Sequence, residues 1–400
     1  MKRKLSILFI LVFLSACKRT TDNGEILKFY GDIKEDIGYS VAIASDGYFI
    51  GGQLTEITRN GNQVLGSSPK PGIIKTGSDG NTIWEKYMGD RLEGSFSKVI
   101  VLSDGSAAAA GQVTDTVTQK TDVFIAKINS DGTGGVWKTF SAAGNLTSKD
   151  LLQTSEGFLL LGTTDAERPV TSDSTGNYAG KKDILIMRID NSLNLIDTPV
   201  PLGFPNNDEG VAVKPDIGGG YIIAGTTERY LLQGHKNDLF LWKINSRGIS
   251  TQSAIIGGTD DENAADFEVL DDGYLIAGTI SSTSGNDSVL IKKIPLNIYS
   301  DPLFTNKIGG SSSWSVNALS RYKSNSFVLA GQEGSSSQSK ELIFVIDAGG
   351  NLVEGKVKTS GGTGVQASYD VVSDSENNII AIGKNTYESN SMISLLKFKF

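Results

Sequence analysis

One phrase recurs seven times along the 400-residue chain: a turn, a short apolar run and a closing glycine. It reads DGYFIGG at 46–52, DGSAAAAG at 104–111, EGFLLLG at 156–162 and GGYIIAG at 219–225. It returns as DGYLIAG at 272–278, NSFVLAG at 325–331 and NNIIAIG at 377–383. The closing glycines follow one another at intervals of 51 to 63 residues. A period of about 50 residues that holds four short strands is the period of a propeller blade. Beyond residue 25 no long segment keeps a 3.6-residue apolar repeat, so the expected fold is all-β.

The rest of the unit repeats as well. After each glycine comes an acid and then an apolar strand carrying a base. Examples are DVFIAKIN at 122–129, DILIMRID at 183–190, DLFLWKIN at 238–245 and DSVLIKKI at 287–294. Units 1, 6 and 7 depart from it with IIKT at 73–76, ELIFVID at 341–347 and SMISLLKF at 391–398. A turn rich in Asp, Gly and Asn follows, then a last strand such as IWEKYMG at 83–89 or FTNKIGG at 304–310. Four strands per unit, A to D, give a seven-bladed β-propeller of four-stranded antiparallel blades over residues 26–400.

The ends of the chain point the same way. EILKFYG at 25–31 matches strand D, whereas the chain stops at Phe400 directly after a strand C. The simplest arrangement lets the N-terminal strand at 26–30 complete the last blade, which closes the ring and covers both edges. An open solenoid would need distinct caps. The 47 glycines then have two uses. Turns such as Ser45-Asp46-Gly47 need positive φ, and the glycine ending strand B lets one backbone approach another.

The repeat resembles the bacterial β-propeller repeat called SBBP, most clearly over 208–310, and the resemblance implies a fold and a surface or periplasmic setting. It is also similar to pyrroloquinoline-quinone-type propellers through Trp84 and Trp137, although that family's cofactor and metal residues have no counterparts here. The turn Ser78-Asp79-Gly80 lacks the spacing of a sialidase Asp-box.

The first 17 residues, MKRKLSILFILVFLSAC, are an address. Three positive charges precede an apolar stretch of ten residues, Leu5 to Leu14, too short to span a hydrocarbon core of about 30 Å. Small residues then lead to the only cysteine. This resembles the lipobox of bacterial lipoproteins, which implies a signal peptide at 1–16, palmitate-type acylation of Cys17 and a tether at 17–25. Two or three acyl chains make a stable anchor. Lys18 in place of an aspartate favours the outer membrane, with the periplasmic or cell-surface side left open.

Composition narrows the chemistry. One Cys and one His allow no internal disulfide and no Cys₄, Cys₂His₂ or His₃ metal centre. A Ser-His-Asp triad would have to use His235. The basic residues form no run and the net charge is −8, which argues against nucleic acid as a partner.

Successive antiparallel strands put the D–A and B–C connections on one face and the short A–B and C–D turns on the other. The longer connections make the first face the expected functional one. Its D–A segments carry acids: Asp32, Glu35 and Asp36, then Asp90 and Glu93, then Asp208 and Glu209, then Asp260, Asp261 and Glu262. Trp314 enters blade 6 from the same face, where a ring could stack on a sugar or a peptide aromatic. Asp208, Glu209, Asp260, Asp261, Glu262 and Trp314 are therefore the candidate ligand-binding rim. No catalytic residue and no cofactor is expected, though hard carboxylate oxygens at the rim could take a cation such as calcium. The leading expectation is a lipid-anchored, non-catalytic binding or interaction scaffold for a protein, peptide or glycan. The alternatives are a carbohydrate-active hydrolase or lyase using rim carboxylates, and a structural subunit of an outer-membrane assembly.

Overall fold

A computed structural model of the chain describes residues 24–400 apart from 32–33, 61–62, 90–91, 167–181, 205, 232–233, 282–284 and 388–389. The leader, Cys17, most of the tether, Asp32, Asp90 and the loop at 171–180 lie outside the described residues. Among those described, 28 strands form seven four-stranded antiparallel sheets, and no helix is present. The seven-bladed propeller expected from the repeat is the fold.

The seventh sheet joins the two ends of the chain. The strand Ile26–Tyr30 pairs antiparallel with Asn390–Phe398, placing Ile26 opposite Lys397 and Tyr30 opposite Ile393. Packing closes the ring in the same way. Seven apolar clusters each combine two neighbouring blades, so the core is a circle of seams. The seam between blades 7 and 1 holds Tyr30, Val41, Ile50, Ile382, Ile393 and Leu395. Strands B and C are apolar on both faces because each blade has a neighbour on either side; Ala107 to Ala110 are wholly buried.

The first strand of each blade is the innermost. These strands are Ile37–Ala44, Glu93–Val101, Leu146–Gln153, Asp208–Pro215, Asp261–Leu270, Trp314–Tyr322 and Gln366–Ser373. Every one carries a β-bulge at the same place. The residues skipped by the register are Tyr39, Ser97, Lys149, Val211, Ala265, Asn317 and Tyr369. The repeated glycine of strand B lies opposite the residue just before each bulge. A Cβ on Gly331 would come within 2.0 Å of the Ser315 carbonyl oxygen, and one on Gly383 within 1.9 Å of that of Ala367. The same clash recurs at all seven glycines. Sequence spacing therefore reports a close backbone approach at a bulge. Replacing Gly331 by Ala is expected to cost about 2–4 kcal/mol, whereas Ala at Gly258, which has open space around it, stays near neutral. Urea midpoints of the two variants check this, and equal midpoints would refute it.

Two of the longer B–C connections are extended hairpins. Gly47–Asn60 with Gln63–Gly77 continues the ladder well beyond the blade, and so does Tyr221–Leu231 with Gly234–Ile244. His235 accordingly pairs with Tyr230 in a strand rather than lying in a loop. Alternating Thr, Glu and Arg in these arms suits a two-stranded ribbon as well as a loop.

Candidate functional site

The bulges free one backbone N–H per blade, two residues beyond the skipped position. All seven donors are met, and by only four side chains. Asp150 accepts from Leu151 of its own blade at 2.9 Å and from Val213 of the next at 2.9 Å. Asp266 does the same for Phe267 at 2.7 Å and Leu319 at 3.0 Å. Asp370 serves Val371 at 2.9 Å and Val41 at 3.0 Å. Ser40 accepts from Val99 at 3.2 Å and donates its own hydroxyl to Asp370 at 2.9 Å. Four equivalent positions in blades 1, 3, 5 and 7 thus stitch the ring at its axis.

Lys98 occupies the same position in blade 2. Its Nζ is 3.7 Å from Asp370. Asp370 above all, then Asp150 and Asp266, hold its pKa well above the usual lysine value against the effect of burial. Lys214 of blade 4 bonds Glu268 at 2.7 Å and stands 3.8 Å from Asp266. Burial opposes its charge, yet Asp266 and Glu268 together raise its pKa. Burial also pushes Asp266 up to about 6, despite the two nearby lysines. Tyr39 and Tyr369, two of the bulged residues, pack with ring centroids 5.3 Å apart.

These groups line one axial funnel of about 430 Å³ to which all seven inner strands contribute. It runs from the bulged residues towards the ends of the inner strands at the short-turn face, Leu152, Pro215, Ser320 and Val372 among its walls. This axial space therefore extends towards the short turns, whereas the longer loops were expected to frame the functional face. Ammonium groups, carboxylates and two phenols converge there in a wall whose backbone donors are already satisfied.

The residues expected at the rim are divided among different settings. Asp208 is buried and accepts from the Phe204 N–H at 2.7 Å. Glu209 forms an ion pair with Lys149, itself a bulged residue. Asp208 and Glu209 line a separate cleft of about 360 Å³ with Lys182, Glu228, Asn237 and Asn263, which meets the funnel at Val211. Asp260 pairs with Lys307 at 3.1 Å on the exposed surface. Asp261 accepts from the Asn237 N–H at 3.1 Å. Glu262 is buried against Lys292 at 2.5 Å. Trp314 is buried too; its ring packs on Phe344 with centroids 5.6 Å apart inside the seam between blades 5 and 6. The six do not converge, and Trp314 presents no free ring. Among the described residues no group of three or more His, Cys, Asp or Glu is placed to hold a metal ion.

Sequence reasoning missed the axial set. The signal was an aspartate inside an otherwise apolar inner strand, in SKDLLQ, ADFEVL and SYDVVS, recurring in every second blade.

No protein-family model matches the chain, and no curated protein does. Solved structures do. A puromycin hydrolase mutant complexed with PGG has a TM-score of 0.53 and 11% identity, over 90% of this chain and 52% of that one. Raptor from Chaetomium thermophilum has a TM-score of 0.54 and 8% identity, over 93% and 29%. The β-propeller domain of the Trilobed protease from Pyrococcus furiosus, titled as having an open velcro topology, has a TM-score of 0.50 and 10% identity, over 92% and 94%. The chain thus spans about half the length of the hydrolase. At these identities the likeness carries the fold alone. The expectation of a non-catalytic binding scaffold, with its carbohydrate-enzyme and assembly alternatives, is corrected here: propellers of this shape include those of a hydrolase and a protease. That expectation rested on the lack of a recognisable catalytic constellation, which cannot distinguish a free-standing propeller from one that serves hydrolytic chemistry.

Proposed function

We propose that this chain is a peptidase-related propeller, of the SBBP-like lipoprotein kind and held at the outer membrane by a lipid on Cys17. Its axial funnel takes up peptide chains destined for hydrolysis. No hydrolytic group is assigned to the described residues.

The observation that carries the reading is the funnel. Lys98 and Lys214 stand beside Asp266, Glu268 and Asp370, with the Tyr39–Tyr369 pair completing the wall. Such a wall suits a ligand that alternates carbonyl and N–H groups and ends in opposite charges. Its side chains can exchange their mutual ion pairs for those termini, and the tyrosines offer flat surface at low entropic cost. A dry apolar pocket would favour a different ligand class. The propellers of the puromycin hydrolase and the Trilobed protease support the link to peptide chemistry.

The test uses the chain from Lys18 onward with short benzophenone-labelled peptides. Photo-crosslinks are expected on the inner strands. Replacing Lys98 and Lys214 by Met should lower labelling about tenfold, the loss of one or two charge-assisted hydrogen bonds. Labels confined to the outer strands, or indifference to both substitutions in a variant with an unchanged urea midpoint, would overturn the reading. Cleavage of the same peptides by the chain alone would place the hydrolytic group within it.

A further inference from the structure

We propose that the seam between blades 2 and 3 holds a second binding pocket, for an uncharged aromatic small molecule. The pocket is separate from the axial funnel and independent of the reading given to it.

The seam between blades 1 and 2 shows what such a place holds elsewhere in the ring. Phe124 lies opposite the closing Gly111 of strand B and packs on Trp137 of the outer strand Val136–Phe140, with centroids 5.3 Å apart. From blade 1, Phe49 and Trp84 join the same seam, their own centroids 5.9 Å apart. The seam between blades 3 and 4 is filled by Phe204, Phe240 and Trp242. Between blades 2 and 3 the first four rings have no counterparts. Leu185, opposite the closing Gly162, stands in the place of Phe124. Two residues further along strand C, where blade 2 pairs Ala126 with Trp137, the outer strand of blade 3 breaks off. Its ladder covers only Val200–Leu202, and Pro199 precedes it. Pro199 and Pro201 bring no N–H to a ladder, which suits a shortened outer strand. On the blade 2 side, Ala108 takes the place of Phe49, three residues before the closing glycine. Val136 takes that of Trp84, opposite the lysine of strand C.

The result is an open space of about 420 Å³ towards the rim of the disc, walled by Phe140, Leu146, Leu185, Met187, Pro199 and Pro201. Small-molecule sites span about 300–1,000 Å³. Among the described residues no charged side chain lines it, and no wall residue is shared with the axial funnel. The charges nearby are engaged elsewhere. Arg188 pairs with Glu156 and Asp197, and Lys138 donates to Asn194 at 2.7 Å. A phenyl ring, a thioether and two proline rings make a wall suited to a flat ring. Two hydroxyls give the pocket a polar end. Thr164 accepts from the Ala166 N–H at 3.1 Å and keeps its own O–H to donate. Ser141 donates to Asp122 at 2.5 Å and keeps its oxygen to accept. The ligand that fits is neutral, built on one or two aromatic rings, and carries a single N–H or O–H.

The experiment titrates the chain from Lys18 onward with N-phenylnaphthylamine, a neutral aromatic amine whose fluorescence rises in apolar surroundings. Saturable enhancement at one site per chain is expected. Anilinonaphthalene sulfonate, the same rings bearing an anion, should bind about tenfold more weakly, because the pocket holds no counter-charge. Leu185→Phe with Pro199→Trp rebuilds the ring pair of blade 2 and should weaken binding of the neutral amine about tenfold. Ala142→Trp, at an exposed position on the mouth, should weaken it likewise without touching the core. Ile83→Ser with Tyr299→Ser removes exposed apolar side chains elsewhere and should leave binding unchanged. No saturable signal, equal binding of the sulfonate, or indifference to both pocket variants would overturn the proposal. So would a loss of binding with the Ile83 and Tyr299 pair, which would place the amine on open surface. The pocket and the funnel share no wall residue, so each reading can fail without the other.

Discussion

A chain lacking Glu25–Tyr30 is expected to lose its closed ring, to unfold at markedly lower denaturant and to associate. Among the described residues the strand is the outer partner of Asn390–Phe398. Its removal exposes a full edge ladder and opens the seam in which Tyr30 is buried with Ile382, Ile393 and Leu395. Tyr30 also donates its hydroxyl to Gly80 O in blade 1 at 2.8 Å, and Lys28 donates to Asn81 at 2.7 Å. The strand therefore belongs to blade 7 by pairing and to blade 1 by its side chains. Two buried side chains, five residues of ladder and these two bonds place the loss on the order of 5 kcal/mol. Naked edges pair with one another, so light scattering should report dimers and larger species. A synthetic peptide spanning 25–31, added in excess, should restore the monomer and the urea midpoint. A truncated chain that stays monomeric with an unchanged midpoint would refute the latch.

The second large effect is expected at Asp370. Asp370→Ala removes the acceptor of two backbone N–H groups and of the Ser40 hydroxyl, and it takes away the nearest counter-charge of Lys98. Two buried donors left without partners cost about 3 kcal/mol together. Asp370→Asn keeps one acceptor oxygen and should cost about half as much. Asp260→Ala, which breaks the exposed pair with Lys307, should cost less than ~0.5 kcal/mol. Urea unfolding of the three variants ranks them. A ranking in which Asp260 matters as much as Asp370 would refute the axial role.

The architecture was legible because its causes are periodic. Gly52, Gly111, Gly162, Gly225, Gly278, Gly331 and Gly383 each sit where a Cβ would strike an inner-strand carbonyl, so the same residue must appear in every unit. The orphaned strand at 26–30 was equally visible, since one fourth-strand phrase had no blade of its own. The bulged positions were not visible. The constraint there falls on the backbone, and the side chains run through Tyr, Ser, Lys, Val, Ala, Asn and Tyr without pattern. The settings of the rim residues were hidden for a related reason. Asp208, Asp261 and Trp314 each begin an inner strand, and which face the first residue of a strand takes depends on a register that one skipped residue inverts. Trp314 accordingly turns into the seam against Phe344, and Glu262 turns inward to Lys292.

The axial stitching also has an arithmetic of its own. Each of Asp150, Asp266 and Asp370 satisfies a pair of donors, one at home and one in the following blade. Pairs cannot tile an odd circle. Seven donors leave one over, Val99, and the single-acceptor Ser40 takes it. The circle therefore has one fixed seam of phase, between blades 1 and 2, and Lys98 sits there. An eight-unit relative could be tiled by four aspartates without remainder. In this chain, deleting or duplicating one unit would put the pairing out of step, even though every blade shares the same outline.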